Sequence, residues 1–304
     1  MSDRYGYDVL VIGSANADLT VRVARRPGPG ETVLGTDLVE SAGGKGANQA
    51  AAAARLGART ALLARVGDDP FGRLLLEAQH AAGTELRHVL VEKGARTGTA
   101  MIVVGPDGDN TIVVSPGANA RLSPADVRAA REVVAASAVV SLQLEIATET
   151  VRAAVETATA SGTRVVLNPS PTPESLDTDL LTAADPLVVN EHEAALLSGL
   201  PAGTPTDRAH ALRERGARSV VITLGGEGAL ILDTEAAEPL RIPGVPVEVI
   251  DTTGAGDAFT GALALRLARG ATLEEAARFA VRVGAASVTR PGAQPSYPTA
   301  EELA

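Results

Sequence analysis

Short apolar runs, β-branched or rich in Leu, recur along the chain at Val9–Ile12, Thr60–Ala64, Ala138–Leu142, Arg164–Leu167, Pro186–Val189 and Ser219–Thr223. Ala-rich stretches of helical length separate most of them. That alternation predicts βαβ units, and so an α/β fold with a mostly parallel central sheet flanked by helices. Several helix starts carry their own punctuation. Ser123-Pro124-Ala125-Asp126 and Thr204-Pro205-Thr206-Asp207 pair an N-cap hydroxyl with Pro at the first helical position, and Thr272-Leu273-Glu274-Glu275 reads as a capping box. They predict helices near 124–134, 205–215 and 273–288. Two regions break the pattern. Leu19–Val23 with Glu31–Glu40, and Gly98–Val104 with Asn110–Ser115, read as strands joined by Gly/Pro/Asp turns, with Gly105-Pro106-Asp107-Gly108 as a hairpin turn. Hairpins cannot serve as crossovers for a parallel sheet. The pattern therefore predicts one α/β domain over 1–304, with a small β lid formed by inserted segments at about 17–41 and 96–117.

Composition narrows the function. With 45% hydrophobic residues in 304, the chain can bury a substantial core, and with 3 Phe, 3 Tyr and no Trp that core must be aliphatic. Stacking of bases on aromatic platforms is disfavoured for the same reason. A formal net charge of -10 repels phosphate backbones and anionic lipid, which argues against nucleic-acid and membrane partners. The absence of cysteine excludes a thiolate nucleophile, a disulfide framework and Cys-ligated zinc. The 4 His show no metal-site spacing. The polar start Met1 to Asp8 is followed by only a short apolar run, unlike a signal peptide, so a cytoplasmic location is expected.

Two glycine-rich helix starts carry the candidate chemistry. Gly254-Ala255-Gly256-Asp257 follows the strand-like Val245–Ile250 and opens a helical run through Ala258 that ends at Arg269-Gly270. Glycines there let backbone N–H groups crowd around an anion, and the helix dipole adds positive potential. The segment suits a phosphate. Asp257 could simply cap the helix, but a cap needs no glycines beside it. A base acting on a hydroxyl that attacks a phosphoryl group does need an anion cradle alongside. The second start is Ser41-Ala42-Gly43-Gly44-Lys45-Gly46-Ala47-Asn48-Gln49, whose helix runs through alanines to Arg55 and stops at Gly57. Helix–sheet packing explains its glycines as readily as close approach to a ligand does. Gly46 stands where a P-loop requires Ser or Thr, and no strand-linked G-x-G-x-x-G occurs.

The segments Gly43–Ala50 and Asp251–Phe259 resemble the two signature segments of the ribokinase (PfkB) family of carbohydrate kinases. The resemblance covers nearly the whole chain, taking in Gly13-Ser14-Ala15-Asn16-Ala17-Asp18, Pro29-Gly30-Glu31-Thr32, Asn190-Glu191-His192-Glu193, Thr223–Gly228 and Thr289–Ser296. It implies a ribokinase-like fold and transfer of the γ-phosphoryl of ATP to a primary hydroxyl. Asp257 would be the base, with Gly254, Ala255 and Gly256 around the transferring group. It implies that Asn16, Asp18, Gly44, Lys45, Asn48 and Glu145 hold sugar hydroxyls. Asn190, Thr223, Gly225, Gly226, Gly228 and Gly256 would meet the nucleotide. Glu193 would organise Mg2+, through water. Asp251, Thr253, Ser287, Arg290, Gly292 and Ser296 would surround a monovalent cation, usually K+, mostly through backbone carbonyls.

Each position also has a plainer reading. Asn16-Ala17-Asp18 could be a turn after a strand, Glu145 a solvated loop residue and Asn190 an N-cap before an acidic first turn. Thr223–Gly228 could be a tight hairpin, and the cation residues a C-terminal loop beside the site. Within the family, the unbroken Gly43–Ala50 segment with Asn16, Asp18 and Glu145 resembles ribokinases most, implying D-ribose as substrate and ribose 5-phosphate as product. A nucleoside, deoxyribose or fructose-type kinase is the nearest alternative, and a catalytically silent sugar-binding regulator a more distant one. Relatives commonly pair through the lid, so a homodimer is expected.

Overall fold

The computed structural model describes residues 6–303, so most of the polar Met1–Asp8 start lies outside the described residues. The strands are β1 Tyr7–Ile12, β2 Asn16–Arg22, β3 Val39–Gly43, β4 Thr60–Gly67, β5 Val89–Glu92, β6 Gly98–Val104 and β7 Asn110–Ser115. They continue with β8 Ser137–Gln143, β9 Arg164–Asn168, β10 Ala184–Asn190, β11 Val220–Thr223, β12 Gly228–Leu232 and β13 Leu240–Pro243. The helices are α1 Lys45–Arg55, α2 Pro70–Ala82, α3 Pro124–Ala129, α4 Arg131–Ala135 and α5 Thr148–Ser161. After them come α6 Thr178–Ala183, α7 Glu191–Ser198, α8 Pro205–Glu214, α9 Ala255–Ala268 and α10 Leu273–Ser287.

Nine strands form one sheet in the order β13-β12-β11-β10-β9-β8-β1-β4-β5. Its core is parallel, and β12 and β13 add an antiparallel edge. Strand periodicity divides the core in two. Val9 and Val11 of β1 join Leu62, Val139, Val166 and Val221 beneath residues of α1, α9 and α10, whereas Leu10 and Ile12 join Leu63, Val140, Leu167 and Ile222 against α5 and α8. Helices therefore cover both faces of the sheet, which is why its central strands are apolar on both sides.

The cap signals hold in the structure: Ser123, Thr204 and Thr272 each complete a capping box with the acidic residue three positions on. Ala130 interrupts the helix expected over 124–134, leaving α3 and α4.

A separate four-stranded sheet, β3-β2-β6-β7, is built from the two regions that broke the alternating pattern. Its strands match the sequence at Gly98–Val104 and Asn110–Ser115, but two expectations need correction. Glu31–Glu40 is mostly irregular, touching the sheet by a Val23–Gly35 bridge and by β3 from Val39 onward. Val245–Ile250 is no strand. It runs as an irregular segment after β13, where Pro246 lacks an N–H for a ladder and Val245, Val247 and Val249 line a pocket instead.

Candidate active site

The C-terminal ends of the parallel strands converge on one region, the place where open α/β sheets hold ligands. Ser14 and Asn16 follow β1, Glu145 follows β8, and Asn168, Asn190 and Thr223 end β9, β10 and β11. Glu145 is the hub of the first cluster. Its Oε2 accepts from Ser14 Oγ at 2.6 Å, from the Lys45 amide at 3.1 Å and from Asn16 Nδ2 at 3.4 Å. A solvated loop residue would make no such set. Asn16 is also held from behind, its Oδ1 accepting from buried Asn119 Nδ2 at 2.7 Å. Gly44 caps α1 with φ of 87°, and a Cβ there would lie 2.6 Å from the Asn16 backbone nitrogen. Only glycine lets α1 begin this close to the end of β1.

Asp18 faces the same space. Burial first, and then the charges of Glu145 and Asp257, raise its carboxyl from 3.8 to about 7. Between those values the folded protein holds a proton that the unfolded chain has released, so stability falls as pH rises from about 4 to about 7. Asp18→Asn is accordingly expected to raise the melting temperature of ligand-free protein more at pH 8 than at pH 5. The two gains should differ by roughly 3 kcal/mol, which thermal unfolding at both pH values measures. Lys45 is the counter-charge. Burial opposes its ammonium, but Asp257, Glu145 and Glu193 together outweigh that and hold it above the ordinary lysine value.

Asp257 sits in the first turn of α9, yet caps nothing. The N-cap is Gly254, without any side-chain cap bond, and the carboxylate turns away from its own helix. Oδ2 accepts from Asn48 Nδ2 at 3.0 Å and Oδ1 from Gln49 Nε2 at 3.2 Å. Gly254 has φ of 72°, with buried Tyr297 Oη donating to its carbonyl at 3.1 Å, and a Cβ there would lie 2.3 Å from that oxygen. The glycine at the cradle is thus fixed by left-handed backbone and by packing together.

Two cavities meet at this helix start. A polar one of about 240 Å³ is lined by Lys45, Asn168, Ser170, Asn190, Glu193 and Asp257. The other, about 370 Å³, is mostly apolar, between the Thr223–Gly228 turn, Val245–Val249 and the α9/α10 surface of Phe259, Val281, Ala285 and Val288. Thr223, Thr252, Ala255 and Gly256 line both. The α9 N-terminus, where the Ala255 amide donates to Thr252 O at 3.2 Å and the Gly256 and Asp257 amides make no backbone bond, therefore lies where a long ligand with an apolar head and an anionic tail would cross from one cavity to the other.

Asn190 and Glu193 form a capping box on α7, with Asn190 N donating to Glu193 Oε2 and Glu193 N to Asn190 Oδ1, both at 2.9 Å. The N-cap reading of this pair holds, and both residues also border the polar cavity. Among the described residues no group of three or more His, Cys, Asp or Glu is arranged to hold a metal. A lone carboxylate still fits magnesium that keeps waters and phosphate oxygens as its other ligands.

Asp251 ties the loop before α9 to the C-terminal loop: Oδ1 accepts from Thr253 N and Oγ1, and Oδ2 from Gly292 N at 2.8 Å. Burial opposes its charge, but these bonds hold the carboxyl below its usual value. The Ser287 and Ser296 hydroxyls donate to the carbonyls of Gly284 and Ala293, and the Arg290 guanidinium pairs with Glu302. Sequence reasoning missed Ser14, Asn119, Gln49 and Tyr297, and it missed the apolar slot. The one sequence signal for Gln49 was an amide directly before the alanine run Ala50–Ala54.

Carboxylates, a lysine and a glycine-rich helix start gathered at the strand ends of a doubly covered parallel sheet suit the transfer of phosphate to an alcohol acceptor. The model of the pfkB family carbohydrate kinases matches residues 7–300, and the chain belongs to that family. It is 40% identical over 302 residues to ribokinase from Mus musculus, covering 97% of this chain and 93% of that protein. Against deoxyribokinase from Salmonella typhi the identity is 36% over 299 residues, covering 97% of each. The structure superposes on Arabidopsis thaliana ribokinase complexed with ribose and ATP with a TM-score of 0.89 at 33% identity, covering 97% of this chain and 96% of that one. Among the described residues no helix is long and apolar enough to cross a membrane.

Proposed function

We propose that this enzyme phosphorylates the primary (5-) hydroxyl of D-ribose with ATP, giving ribose 5-phosphate. One observation carries the reading: the Asp257 carboxylate, held by Asn48 and Gln49, stands between the hydroxyl-binding cluster and the helix start that receives phosphate. Sugar hydroxyls would donate to Asp18 and Glu145 and accept from Asn16, Lys45 and Asn48, a mixture of donors and acceptors suited to a polyol. Adenine would enter the slot bounded by Phe259, Val281 and Val288, over a Gly225-Gly226 turn that offers only backbone. The triphosphate would then run past Thr223 to the amides of Gly256 and Asp257, the Ala255 amide being taken by Thr252 O. Asp257 takes the proton as the hydroxyl attacks, and those amides with Lys45 stabilise charge on the transferring group.

Bound Mg2+ would neutralise the phosphates, held through water near Glu193. K+ fits the oxygen-rich turn around Asp251 and Gly292, whose closeness to Gly254 would steady the cradle. The four-stranded sheet would act as a lid that keeps water from the phosphoryl group. Its edge strand β7 is exposed throughout, with Val113 in the open beside Met101 on one face and Ile112 and Val114 on the other, an open edge suited to pairing in a homodimer. A cytoplasmic setting, where ATP is supplied, completes the proposal.

The similarity to a deoxyribokinase favours deoxyribose as the second reading. A nucleoside is disfavoured because the strands of the small sheet carry no aromatic side chain to face a base. A coupled ADP-release assay over ribose, deoxyribose, fructose and adenosine, with and without K+, tests the proposal. Ribose should give the highest kcat/KM, with K+ raising the rate. A tenfold preference for deoxyribose would replace ribose as the substrate, and no turnover of any sugar would favour a silent binding protein.

A further inference from the structure

We propose that Gln49 is a positioning residue for Asp257, an inference that rests on the proposed role of Asp257 as base. Gln49 lines neither of the two cavities at the α9 start. It is fully buried on α1, with its Nε2 donating to Asp257 Oδ1 at 3.2 Å. Its own Oε1 accepts from Ser141 Oγ at 2.8 Å and from Gln143 Nε2, both on β8 and both fully buried. The acceptor-only carboxylate of Asp257 fixes the sense of the amide. Were Gln49 to flip, its oxygen would face the carboxylate, setting two buried acceptors against each other.

The other carboxylate oxygen is held in the same way. Asn48 Nδ2 donates to Oδ2 at 3.0 Å, while Gln294 Nε2 donates to Asn48 Oδ1 at 3.0 Å and Gln79 Nε2 to Gln294 Oε1 at 3.2 Å. Every amide in this shell donates towards Asp257. The sheet, through β8 and Gln49, and the C-terminal loop, through Gln294 and Asn48, thus set the carboxylate plane from opposite sides. Each oxygen keeps a lone pair for the pocket. A base works only with that lone pair in line with the attacking hydroxyl, and small misplacements are costly in rate while leaving ground-state binding alone. Asn48 also borders the proposed sugar site, so Gln49 is where positioning can be separated from binding.

Gln49→Met keeps the volume and removes the donor and the acceptor. It is expected to lower kcat roughly 10- to 100-fold, with KM for ribose and ATP within about threefold of wild type. Gln143→Met, which releases one side of the clamp and leaves the Gln49 donor in place, should lower kcat by less, again without moving KM. In an Asp257→Asn background, Gln49→Met should change the residual rate by less than about twofold, since a residue acting through Asp257 has nothing left to act on. Should Gln49→Met fail to fold, Gln143→Met and Ser141→Ala carry the same test. A kcat within twofold of wild type in the Gln49 variant, alongside an inactive Asp257→Asn, overturns the positioning role and spares the base. The same loss of rate with and without Asp257, or a loss matched by a rise in KM, also overturns it. Full turnover by Asp257→Asn alone removes the base reading, and the inference with it.

Discussion

Asp257→Asn is expected to lower kcat by roughly 10²- to 10⁴-fold while ribose still binds. The substitution keeps the size and place of the side chain and removes its capacity to take a proton. Because Asn48 and Gln49 both donate to the carboxylate, an amide leaves one of them facing an NH2 group, so a small loss of stability should accompany the loss of rate. Steady-state kinetics together with calorimetric titration of ribose separate the two effects. Wild-type turnover in this variant would remove Asp257 from the chemistry, and lost ribose binding would make it a binding group first.

The second large effect is expected at Glu145. Ser14 Oγ, Asn16 Nδ2 and the Lys45 amide all converge on Glu145 Oε2, so Glu145→Ala leaves three donors from two segments without their common acceptor. Asn16 and the start of α1 lose their mutual register, and the pocket loses a carboxylate that balances Lys45. Affinity for ribose should fall by about 3 kcal/mol, or roughly 10²-fold, with KM for ATP changed little, because the apolar slot lies on the far side of the α9 start. Glu145→Gln, which can still accept from one or two donors, should fall in between. Calorimetry with ribose and kinetics varying ATP check both. An equal rise in both Michaelis constants would mean that Glu145 supports the whole cleft and not the sugar side.

How much of this was legible beforehand depended on how local each signal was. The parallel core strands, the capping boxes at Ser123, Thr204 and Thr272 and the Gly98–Ser115 hairpin follow from periodicity and from hydrogen bonds made within a few residues. They were readable for that reason. Val245–Ile250 has strand composition, but a strand exists only with a partner, and the next element in space is a cavity instead of an edge. Glu31–Glu40 failed likewise: its apolar residues Leu34 and Leu38 stand in the open without a ladder. Tertiary context overrode the local pattern in both.

The chain by itself determined the class of fold, the two glycine-rich helix starts and, through their resemblance to a kinase family, the residues to look at. Local pattern and backbone chemistry suffice for that, since glycine, proline and cap residues act on their nearest neighbours. Only the tertiary structure decided where the Asp257 carboxylate lies and what holds it. In sequence it is an acidic residue in a first turn, for which capping is the plainest reading. In space it is gripped by two amides from a helix some two hundred positions earlier, with their orientation fixed by β8 and the C-terminal loop. A hydrogen bond between residues so far apart leaves no periodic trace, because its geometry is set by how the helices pack on the sheet and not by their order along the chain.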